Sequence, residues 1–246
     1  MDSPQAGLRT ITAWSFSRLV EDYEPCHYKA YLLFVEKRPK PDRKDEKSEQ
    51  MRLRGKVVHE GAEQFVRGER VDIVPELESR AQKLHEYRAY FEQGKAEVEQ
   101  DWAFNQDWTP TGWFDADAWS RIKLDVFINF GAEGIVDDWK TGKKFGNEVK
   151  HAQQGQLYGI GAFMRYPELE KVKVRFTYVD HPPKTDTERE YTRAVLMRML
   201  PSWNSRGLAM TTATSFPAKP SKIACRFCPF GPNNGGDRSC PSGVEV

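Results

Sequence analysis

Residues 121–140 restrict the fold more than any other segment, because they have the pattern of two adjacent strands joined by a short turn. In RIKLDVFINF, apolar side chains occupy every second position from Ile122 to Phe130. This alternation predicts a strand whose even-numbered side chains share one face. Gly131–Gly134 forms a tight connection into GIVDDWK, which predicts a second strand antiparallel to the first. A chain with this hairpin contains a β-sheet.

The other segments predict helices and further strands around the hairpin. Glu36–Gln50 holds eleven charged residues of fifteen, so we expect a solvated loop there. From Ala96 onward apolar and polar residues alternate, so we expect a strand with Val98, Trp102 and Phe104 on one face. We expect a further strand at 171–179, and helices at 15–35 with a kink at Pro25, at 51–67, 75–94 and 147–166, and at 187–200, where Pro201 should stop the last. This order predicts an α/β fold with an irregular tail after residue 202.

The composition is that of a globular protein. The 246 residues include 39% hydrophobic residues and carry a formal net charge of +1. No stretch approaches the roughly 18 apolar residues of a membrane span, and the N-terminus MDSPQAGLRT lacks the order of a signal peptide. We therefore expect a cytoplasmic protein whose thiols stay reduced. The balanced charge means that any affinity for nucleic acid depends on a local surface.

Four cysteines occur near the two ends of the chain. Cys225 and Cys228 form a Cys-x-x-Cys pair, Cys240 follows, and Cys26 lies near the N-terminus. In a reducing compartment this set indicates a metal site before it indicates disulfides. Four thiolates suit either an iron–sulfur cluster or a structural zinc ion, for which His27 would be a competing ligand. Four unrelated buried thiols are the remaining alternative.

Two carboxylates and an ammonium group are expected to converge at the hairpin. Asp138 and Lys140 are two residues apart on one strand and share a face, and the hairpin brings Asp125 beside them. Adjacent carboxylates repel each other unless a divalent cation lies between them. A nearby lysine can hold a water molecule or neutralise charge that develops on a phosphate. Taken alone, Asp-x-Lys is equally typical of a surface ion pair.

Two of the predicted helices carry further polar residues that could join this site. His59 lies at the edge of the apolar stripe of the helix at 51–67, and its imidazole would suit a mixed nitrogen and oxygen site for Mg²⁺ or Mn²⁺. Gln154 and Tyr158 are one helical turn apart, so they can meet the same phosphate or the same lysine. The structural alternative for His59 is a half-buried histidine that binds no ligand. The alternative for Gln154 and Tyr158 is an ordinary polar face of a helix.

Six motifs in this order resemble the RecB-like branch of the PD-(D/E)XK nuclease superfamily, and the chain is similar to the CRISPR-associated RecB-like iron–sulfur exonucleases. The motifs are the Ser-rich opening with Pro25 and Cys26, Gly55-x-x-x-His59, LDVF with Asp125, the run Asp138, Trp139, Lys140, Thr141 and Gly142, the pair Gln154 and Tyr158, and the C-terminal cysteines. The resemblance spans most of the chain. It implies a restriction-endonuclease-like α/β core, a mixed central sheet flanked by helices, with a helical N-terminal segment and a cysteine-bound tail.

The resemblance also implies roles for individual residues. The catalytic residues that it implies are Asp125, Asp138, Lys140, Gln154 and Tyr158. The ligands that it implies for one or two Mg²⁺ or Mn²⁺ ions are His59, Asp125, Asp138 and the Trp139 carbonyl. It implies a 4Fe–4S cluster on Cys26, Cys225, Cys228 and Cys240, with structural Zn²⁺ as the alternative. The Gly-rich gap before Cys240 is longer than is usual in the family, which makes this residue the least secure ligand.

A metal-dependent DNA exonuclease is the function that the resemblance implies, hydrolysing phosphodiester bonds at single-stranded ends in recombination, repair or CRISPR-like processing. The implied organisation is a single nuclease domain over 1–246, with a helical segment and charged loop at 1–50, a nuclease core at 51–200 and a cysteine-cluster tail at 201–246. Two other classes stay open. One is a non-catalytic adaptor that binds nucleic acid, and the other is a zinc-stabilised binding module.

Four tryptophans crowd into eighteen residues before the first aspartate of the site. They are Trp102, Trp108, Trp113 and Trp119. Their rings could stack on the bases of a single strand, a contact worth ~1–3 kcal/mol per base. Packing against the core is the alternative, and it is the commoner use of aromatic residues in strands.

Overall fold

A computed structural model of the protein describes residues 10–41 and 46–246. The chain divides into two compact units, one formed by Met1–Asp45 with Ser202–Val246 and the other by Glu46–Pro201. Across the described ranges, no helix combines the length and the apolar character needed to cross a membrane. Residues 42–45 of the predicted charged loop lie outside the described residues. The helix that follows begins at Glu46, five residues earlier than expected, because Glu, Lys and Gln are good helix formers.

Helices and strands both occur along the chain, as the sequence predicts for an α/β protein. In chain order they are β1 (Trp14–Ser15), a π-helical segment (Ser17–Tyr23), α1 (His27–Ala30), a second π-helical segment (Tyr31–Val35), α2 (Glu46–Arg67), a 3₁₀ helix (Pro75–Arg80), α3 (Ala81–Glu92), β2 (Ala96–Phe104), β3 (Pro110–Thr111), β4 (Ser120–Asn129), β5 (Glu133–Lys140), α4 (Glu148–Arg165), β6 (Lys171–Tyr178), a 3₁₀ helix (Pro183–Thr185), β7 (Thr187–Thr192), α5 (Arg193–Thr211) and α6 (Lys222–Arg226).

Six strands of the second unit form a mixed sheet in the order β3-β2-β4-β5-β6-β7. Only β5 and β6 are parallel, and the other neighbours are antiparallel. A parallel pair needs a crossover connection, and α4 provides it. This crossover places α4 directly after β5, the strand that carries Asp138.

The predicted hairpin is confirmed as β4 and β5. Val126 lies opposite Asp137 in an antiparallel register, and the pairing continues to the turn. In this register Asp125 of β4 comes beside Asp138 of β5. The two carboxylates of the predicted site therefore start from adjacent strands.

The prediction that the even-numbered side chains of β2 and β4 share one face of the sheet is correct for only part of each strand. Val98 and Val126, which pair with each other, belong to the core formed with α2 and α3. Ile122 instead packs against α4, since a Cβ on Gly161 would lie only 2.6 Å from Ile122 Cδ1. The change of face occurs near Glu99, whose φ of +49° interrupts regular pairing. The even-numbered side chains of these strands therefore do not share one face throughout.

Helices cover both faces of the sheet. On one face the predicted apolar stripe of α2 is confirmed, because Val58, Ala62 and Phe65 are all buried in the core shared with α3. On the other face α4 comes very close to β6, and a Cβ on Gly155 would lie 3.3 Å from the Phe176 ring. The expected α/β architecture, a mixed central sheet with helices on both sides, is confirmed.

The helix predicted at 187–200 is wrong in its first part. Thr187–Thr192 is the edge strand β7, paired antiparallel with β6, and α5 begins only at Arg193. In TEREYT only Tyr191 is buried, which is typical of a charged edge strand. Pro201 does not stop α5 but lies inside it, and the tail contains α6 as well. Backbone pairing with β6, a long-range interaction, decides the structure of this segment.

The first unit joins segments from both ends of the described chain. Trp14 stacks on Trp203 with ring centroids 6.1 Å apart. Tyr23 Oη donates a 2.8 Å hydrogen bond to the Ala209 carbonyl. A small core around the fully buried Phe230 also includes residues from both ends. Burial of these aromatic rings holds the N-terminal and C-terminal segments together as one unit.

Candidate active site

Asp125 and Asp138 are buried side by side at the centre of the sheet of the second unit. Their exposed fractions are 8% and 4%. Asp125 Oδ2 accepts a 2.7 Å hydrogen bond from the Trp139 backbone N–H. Asp125 Oδ1 lies 3.1 Å from His59 Nδ1, which comes from α2. The structure therefore brings His59, which is distant in the sequence, together with both aspartates of the hairpin.

Asp138 belongs to a closed chain of four polar residues. Tyr158 Oη donates a 2.5 Å hydrogen bond to Asp138 Oδ1, and Gln154 Nε2 donates to Tyr158 Oη at 2.7 Å. Lys140 Nζ donates to Gln154 Oε1 at 2.9 Å and lies 2.6 Å from Asp138 Oδ2. Two residues on one strand face and two on one turn of α4 complete this ring of contacts.

One oxygen of Asp138 stays without a hydrogen bond. Oδ2 is buried and accepts none within the described part of the chain, because the nearby Lys140 ammonium forms an ion pair that is not aligned as a hydrogen bond. The Lys140 ammonium, 2.6 Å away, neutralises part of the charge on this buried oxygen, so a divalent cation bound here would share the carboxylate with Lys140. An imidazole nitrogen and carboxylate oxygens form a donor set that suits Mg²⁺ or Mn²⁺. The residues present therefore fit a divalent cation.

Glu99 is a site residue that sequence reasoning missed. Its carboxylate lies 3.8 Å from His59 Nδ1 and 3.3 Å from Lys123 Nζ. Ligand atoms of His59, Glu99 and Asp125 all lie within 4.8 Å of one another, which is close enough to share one ion. Strand alternation places Glu99 among ordinary polar residues. Its left-handed backbone conformation turns it toward the site, and no local sequence signal predicts that conformation for a glutamate.

The charges of the site shift the pKa values of its members. Burial and the neighbouring Asp138 carboxylate raise the pKa of Asp125 to about 6. Burial alone would lower the pKa of His59, but hydrogen bonds to Asp125 and Glu99 outweigh it and raise the pKa to about 10. A protonated His59 therefore balances part of the negative charge. A divalent cation would replace that proton, because only a neutral imidazole binds a metal.

All four cysteines line one small cavity of the first unit. Cys26 lies at the N-terminus of α1 and Cys225 lies in α6. The Lys219 backbone N–H donates to Cys26 Sγ at 3.5 Å. Burial, with smaller contributions from Cys240 and Cys26, raises the pKa of the Cys228 thiol. The structure thus brings together the four residues that the family resemblance implied as ligands.

His27, the competing ligand considered for zinc, is held by other partners. Its ring stacks on Tyr23 with centroids 4.1 Å apart, and its Nε2 lies 2.9 Å from Lys219 Nζ. Burial and the Lys219 ammonium lower the pKa of His27. These contacts disfavour His27 as a ligand in place of a cysteine.

Three of the four clustered tryptophans belong to the buried core. Trp102, Trp108 and Trp119 are all buried, so their rings are not free to stack on bases. Packing is therefore the right interpretation for these three residues. Trp113 is half-buried, and the Arg121 guanidinium lies 5.4 Å from the centroid of its ring.

Comparison with known proteins identifies the class to which this fold and site belong. The family model of the PD-(D/E)XK nuclease superfamily matches residues 13–232. Since this match covers most of the sequence, the chain belongs to the PD-(D/E)XK nuclease superfamily. The restriction-endonuclease-like fold expected from the six motifs is thereby confirmed.

Two solved structures align with this chain at low sequence identity. The crystal structure of a "Putative exonuclease" from Eubacterium rectale aligns with a TM-score of 0.51 and 13% identity over 93% of this chain and 91% of that chain. The crystal structure of SSO0001 aligns with a TM-score of 0.46 and 15% identity over 98% and 91%. A search of curated protein sequences gave no significant match. At 13% identity the likeness to the Eubacterium rectale structure indicates the fold alone.

Proposed function

We propose that the protein is a metal-dependent DNA exonuclease of the RecB-like branch that acts on single-stranded ends. The observation that carries this proposal is the buried Asp138, with one oxygen held by Tyr158 and the other facing Lys140 without a hydrogen bond. This arrangement keeps a negative charge available for a cation next to an ammonium group. The superfamily supports nuclease activity, and the motif resemblance supports the choice of DNA ends, with recombination, repair or CRISPR-like processing as the setting.

The proposed cation site uses His59, Asp125, Asp138 and the carbonyl of Trp139, and we add Glu99 because it lies beside His59. A bound Mg²⁺ or Mn²⁺ would supply polarisation of the scissile phosphate and a more acidic water. Trp139 also has a positioning role in the structure, since its N–H fixes Asp125 Oδ2. That bond leaves Asp125 Oδ1 to face His59.

Lys140 is the proposed charge-stabilising residue. Its ammonium can meet a phosphate oxygen as negative charge develops there during hydrolysis. Gln154 holds the ammonium through its Oε1, and Tyr158 holds both Gln154 and Asp138. Because each of these bonds joins two side chains of the ring, Gln154 and Tyr158 act as positioning residues for Lys140 and Asp138. A preorganised group costs no reorganisation at the moment of reaction.

The proposed ligands of a 4Fe–4S cluster are Cys26, Cys225, Cys228 and Cys240, which line one cavity. A single tetrahedral zinc ion, with Zn–S bonds of about 2.3 Å, would hold its sulfurs roughly 3.8 Å apart. Within the described ranges, no three cysteine sulfurs lie within 4.8 Å of one another. A cluster, whose thiolates bind different iron atoms, holds its sulfurs farther apart than one zinc ion does. The backbone N–H on Cys26 Sγ is also of the kind that tunes such clusters.

We further propose that both compact units belong to one nuclease domain. The superfamily match runs from residue 13 to residue 232 and so includes parts of both units. In this organisation the cysteine tail and the helical N-terminal segment are extensions of the core at 51–200 and not separate modules.

End-labelled single-stranded and double-stranded DNA, incubated with Mg²⁺, Mn²⁺ or EDTA, tests the proposed activity. We expect stepwise shortening of single strands with either metal ion and no shortening in EDTA. The matched control is Asp138→Asn, which keeps the side-chain volume and removes the charge. DNA binding without any metal-dependent cleavage would identify the non-catalytic adaptor instead. Binding together with one zinc ion per chain would identify the zinc-stabilised module.

A further inference from the structure

A second cavity of the second unit lies between α4 and the outer strands β6 and β7, and it has a volume of about 210 Å³. We call it the α4–β7 pocket. Its principal lining residues are His151, Ala152, Gly155, Phe176, Tyr178 and Tyr191. None of the roles proposed above uses this space. Gly155 lines it at a point where the helix comes close to the sheet, since a Cβ there would lie 3.3 Å from the Phe176 ring.

Aromatic rings form the walls of the α4–β7 pocket. The His151 and Phe176 rings are stacked, with centroids 5.4 Å apart and an interplanar angle of 25°. His151 Nδ1 and Tyr178 Oη form a 2.7 Å hydrogen bond, which fixes the orientation of the imidazole. Burial, followed by the Lys140 ammonium, lowers the pKa of His151 to about 4, so this ring is neutral near pH 7. The pocket therefore offers flat aromatic surfaces beside the charged residues Glu148, Glu188 and Arg189.

Phe176 connects this pocket to the proposed active site. Lys140 Nζ lies 5.3 Å from the centroid of the Phe176 ring. The Tyr158 ring lies nearly parallel to the same ring, with centroids 6.3 Å apart. One wall of the pocket thus touches the lysine proposed to meet the scissile phosphate. In a nucleotide only the sugar separates a phosphate from its base, so a phosphate at Lys140 leaves its base within reach of the pocket.

We infer that the α4–β7 pocket binds the nucleobase of the terminal nucleotide of the strand end that is being cleaved. This inference rests on the proposed nuclease function and deepens it. Contact with the aromatic rings that line the pocket would hold the base, and every nucleobase presents a flat face for such contact. The pocket therefore positions the end of any sequence, which an exonuclease requires.

Size and charge favour a base over other ligands. The pocket is smaller than the roughly 300–1,000 Å³ typical of sites for drug-sized molecules, so it suits one planar ring system. Glu148 lines it and would repel a phosphate. Glu188 also lines it but is paired with Lys173 and Arg175. Arg189 lines it too, and its guanidinium lies over the Tyr191 ring, 5.2 Å from the centroid. A neutral ring suits this mixed lining better than a phosphate does.

The test fills the pocket from its helix side. Ala152→Leu adds an apolar side chain at a lining position, and leucine is a good helix former. The matched control is Val149→Leu, which places leucine at a 75% exposed position of the same helix. Thr187→Leu obstructs the pocket from β7 and replaces Ala152→Leu if that variant does not fold. Thermal unfolding midpoints verify the fold of each variant.

The substrates are single-stranded oligonucleotides with a normal terminal nucleotide or an abasic terminal nucleotide, tested at each end. We expect the wild type and Val149→Leu to cleave the normal end roughly 5- to 150-fold better in kcat/KM, which corresponds to ~1–3 kcal/mol per stacked base. In Ala152→Leu this ratio should fall to about 1 while the rate on abasic ends is unchanged. Equal rates of the wild type on normal and abasic ends would overturn the inference. So would equal losses on both substrates in Ala152→Leu.

A binding measurement separates failure of the pocket from failure of the nuclease. A terminal 2-aminopurine, placed at each end in turn, reports stacking of the last base in EDTA, where metal-dependent cleavage stops. We expect its fluorescence to fall on binding to the wild type and to Val149→Leu, but not to Ala152→Leu. If the wild type cleaves DNA but the fluorescence change is the same in the wild type and in Ala152→Leu, the inference about the pocket is wrong and the proposed nuclease function stands. The fluorescence difference without cleavage under any metal contradicts the nuclease function and leaves a site that binds strand ends.

Discussion

Tyr158 Oη donates a 2.5 Å hydrogen bond to Asp138 Oδ1, which leaves the second oxygen of Asp138 facing the ammonium of Lys140. Burial and the Asp138 carboxylate hold the pKa of Tyr158 well above its usual value, so Tyr158 stays protonated and continues to donate. The direction in which Asp138 presents its second oxygen to Lys140 is therefore decided by a residue of α4. This relationship connects the helix after β5 with the proposed cation site.

Asp138→Asn should abolish metal-dependent cleavage. The substitution removes a negative ligand without changing the volume of the side chain, so the fold should stay intact. Cleavage of end-labelled DNA and circular dichroism of the same preparation check the two parts of this expectation. Undiminished cleavage by a folded Asp138→Asn variant would falsify the proposed cation site.

Lys140→Ala should lower turnover by at least ~10²-fold, which is the order observed when one preorganised charge-stabilising group is lost. DNA affinity should fall only modestly, since Lys140 is proposed to act mainly when charge develops. Single-turnover cleavage and equilibrium DNA binding separate the two quantities. If both fall by the same factor, Lys140 anchors a phosphate in the ground state, and its assignment as the charge-stabilising residue is wrong.

Glu99→Gln should weaken Mn²⁺ binding by about 10-fold, an effect typical of losing an anionic group beside a metal ligand. Glu99 and His59 lie 3.8 Å apart, so the amide loses the charge that helps to hold the ion. Titration calorimetry with Mn²⁺ measures the change. Asp101→Asn is the matched control. Asp101 lies on the same strand as Glu99, but its side chain is half-exposed and its Oδ1 lies 4.0 Å from Lys123 Nζ. Equal affinities of wild type and Glu99→Gln would remove Glu99 from the site.

Cys228→Ser should give a colourless and less stable protein in which any soluble fraction keeps some metal-dependent cleavage. A cluster that joins Cys26 to the tail closes a long loop, so its loss increases the entropy of the unfolded chain, while Asp138 and Lys140 are untouched. Elemental analysis of anaerobically prepared wild type decides the ligand. About four irons per chain support the cluster, one zinc supports a structural zinc site, and neither metal indicates ordinary core cysteines.

His151 should contribute a decrease in the free energy of unfolding as the pH falls from about 6.5 toward 4, opposite in sign to the contribution of Asp125, whose pKa is raised to about 6. His151 has a pKa of about 4 in the folded protein, below its value of about 6.5 in the unfolded chain. The unfolded state therefore binds a proton first, and the stability present above pH 6.5 is lost through this window, by up to about 3 kcal/mol. Urea unfolding at pH 7 and pH 4.5 measures the loss. The loss should be smaller in His151→Gln, and an identical loss in that variant would contradict the assignment.

The sequence alone determined those parts of the site in which residues are close along the chain. Asp138 and Lys140 share a strand face because side chains alternate along β5, and Gln154 and Tyr158 share a helix face because they are one turn apart. The short turn before β5 also predicted that Asp125 would lie on the adjacent strand, and the register of β4 and β5 confirms that pairing. Local periodicity is sufficient for these relations.

Tertiary structure alone decided the features that depend on distant partners. Glu99 faces His59 only because β2 leaves regular pairing at a positive φ, and the period-two pattern contains no sign of that change. Thr187–Thr192 is a strand because β6 offers it an edge, although the segment was expected to be helical. Trp102 is buried against α4 and not available to DNA. In each case the deciding free energy comes from hydrogen bonds or burial between segments far apart in the chain, which local sequence patterns do not contain.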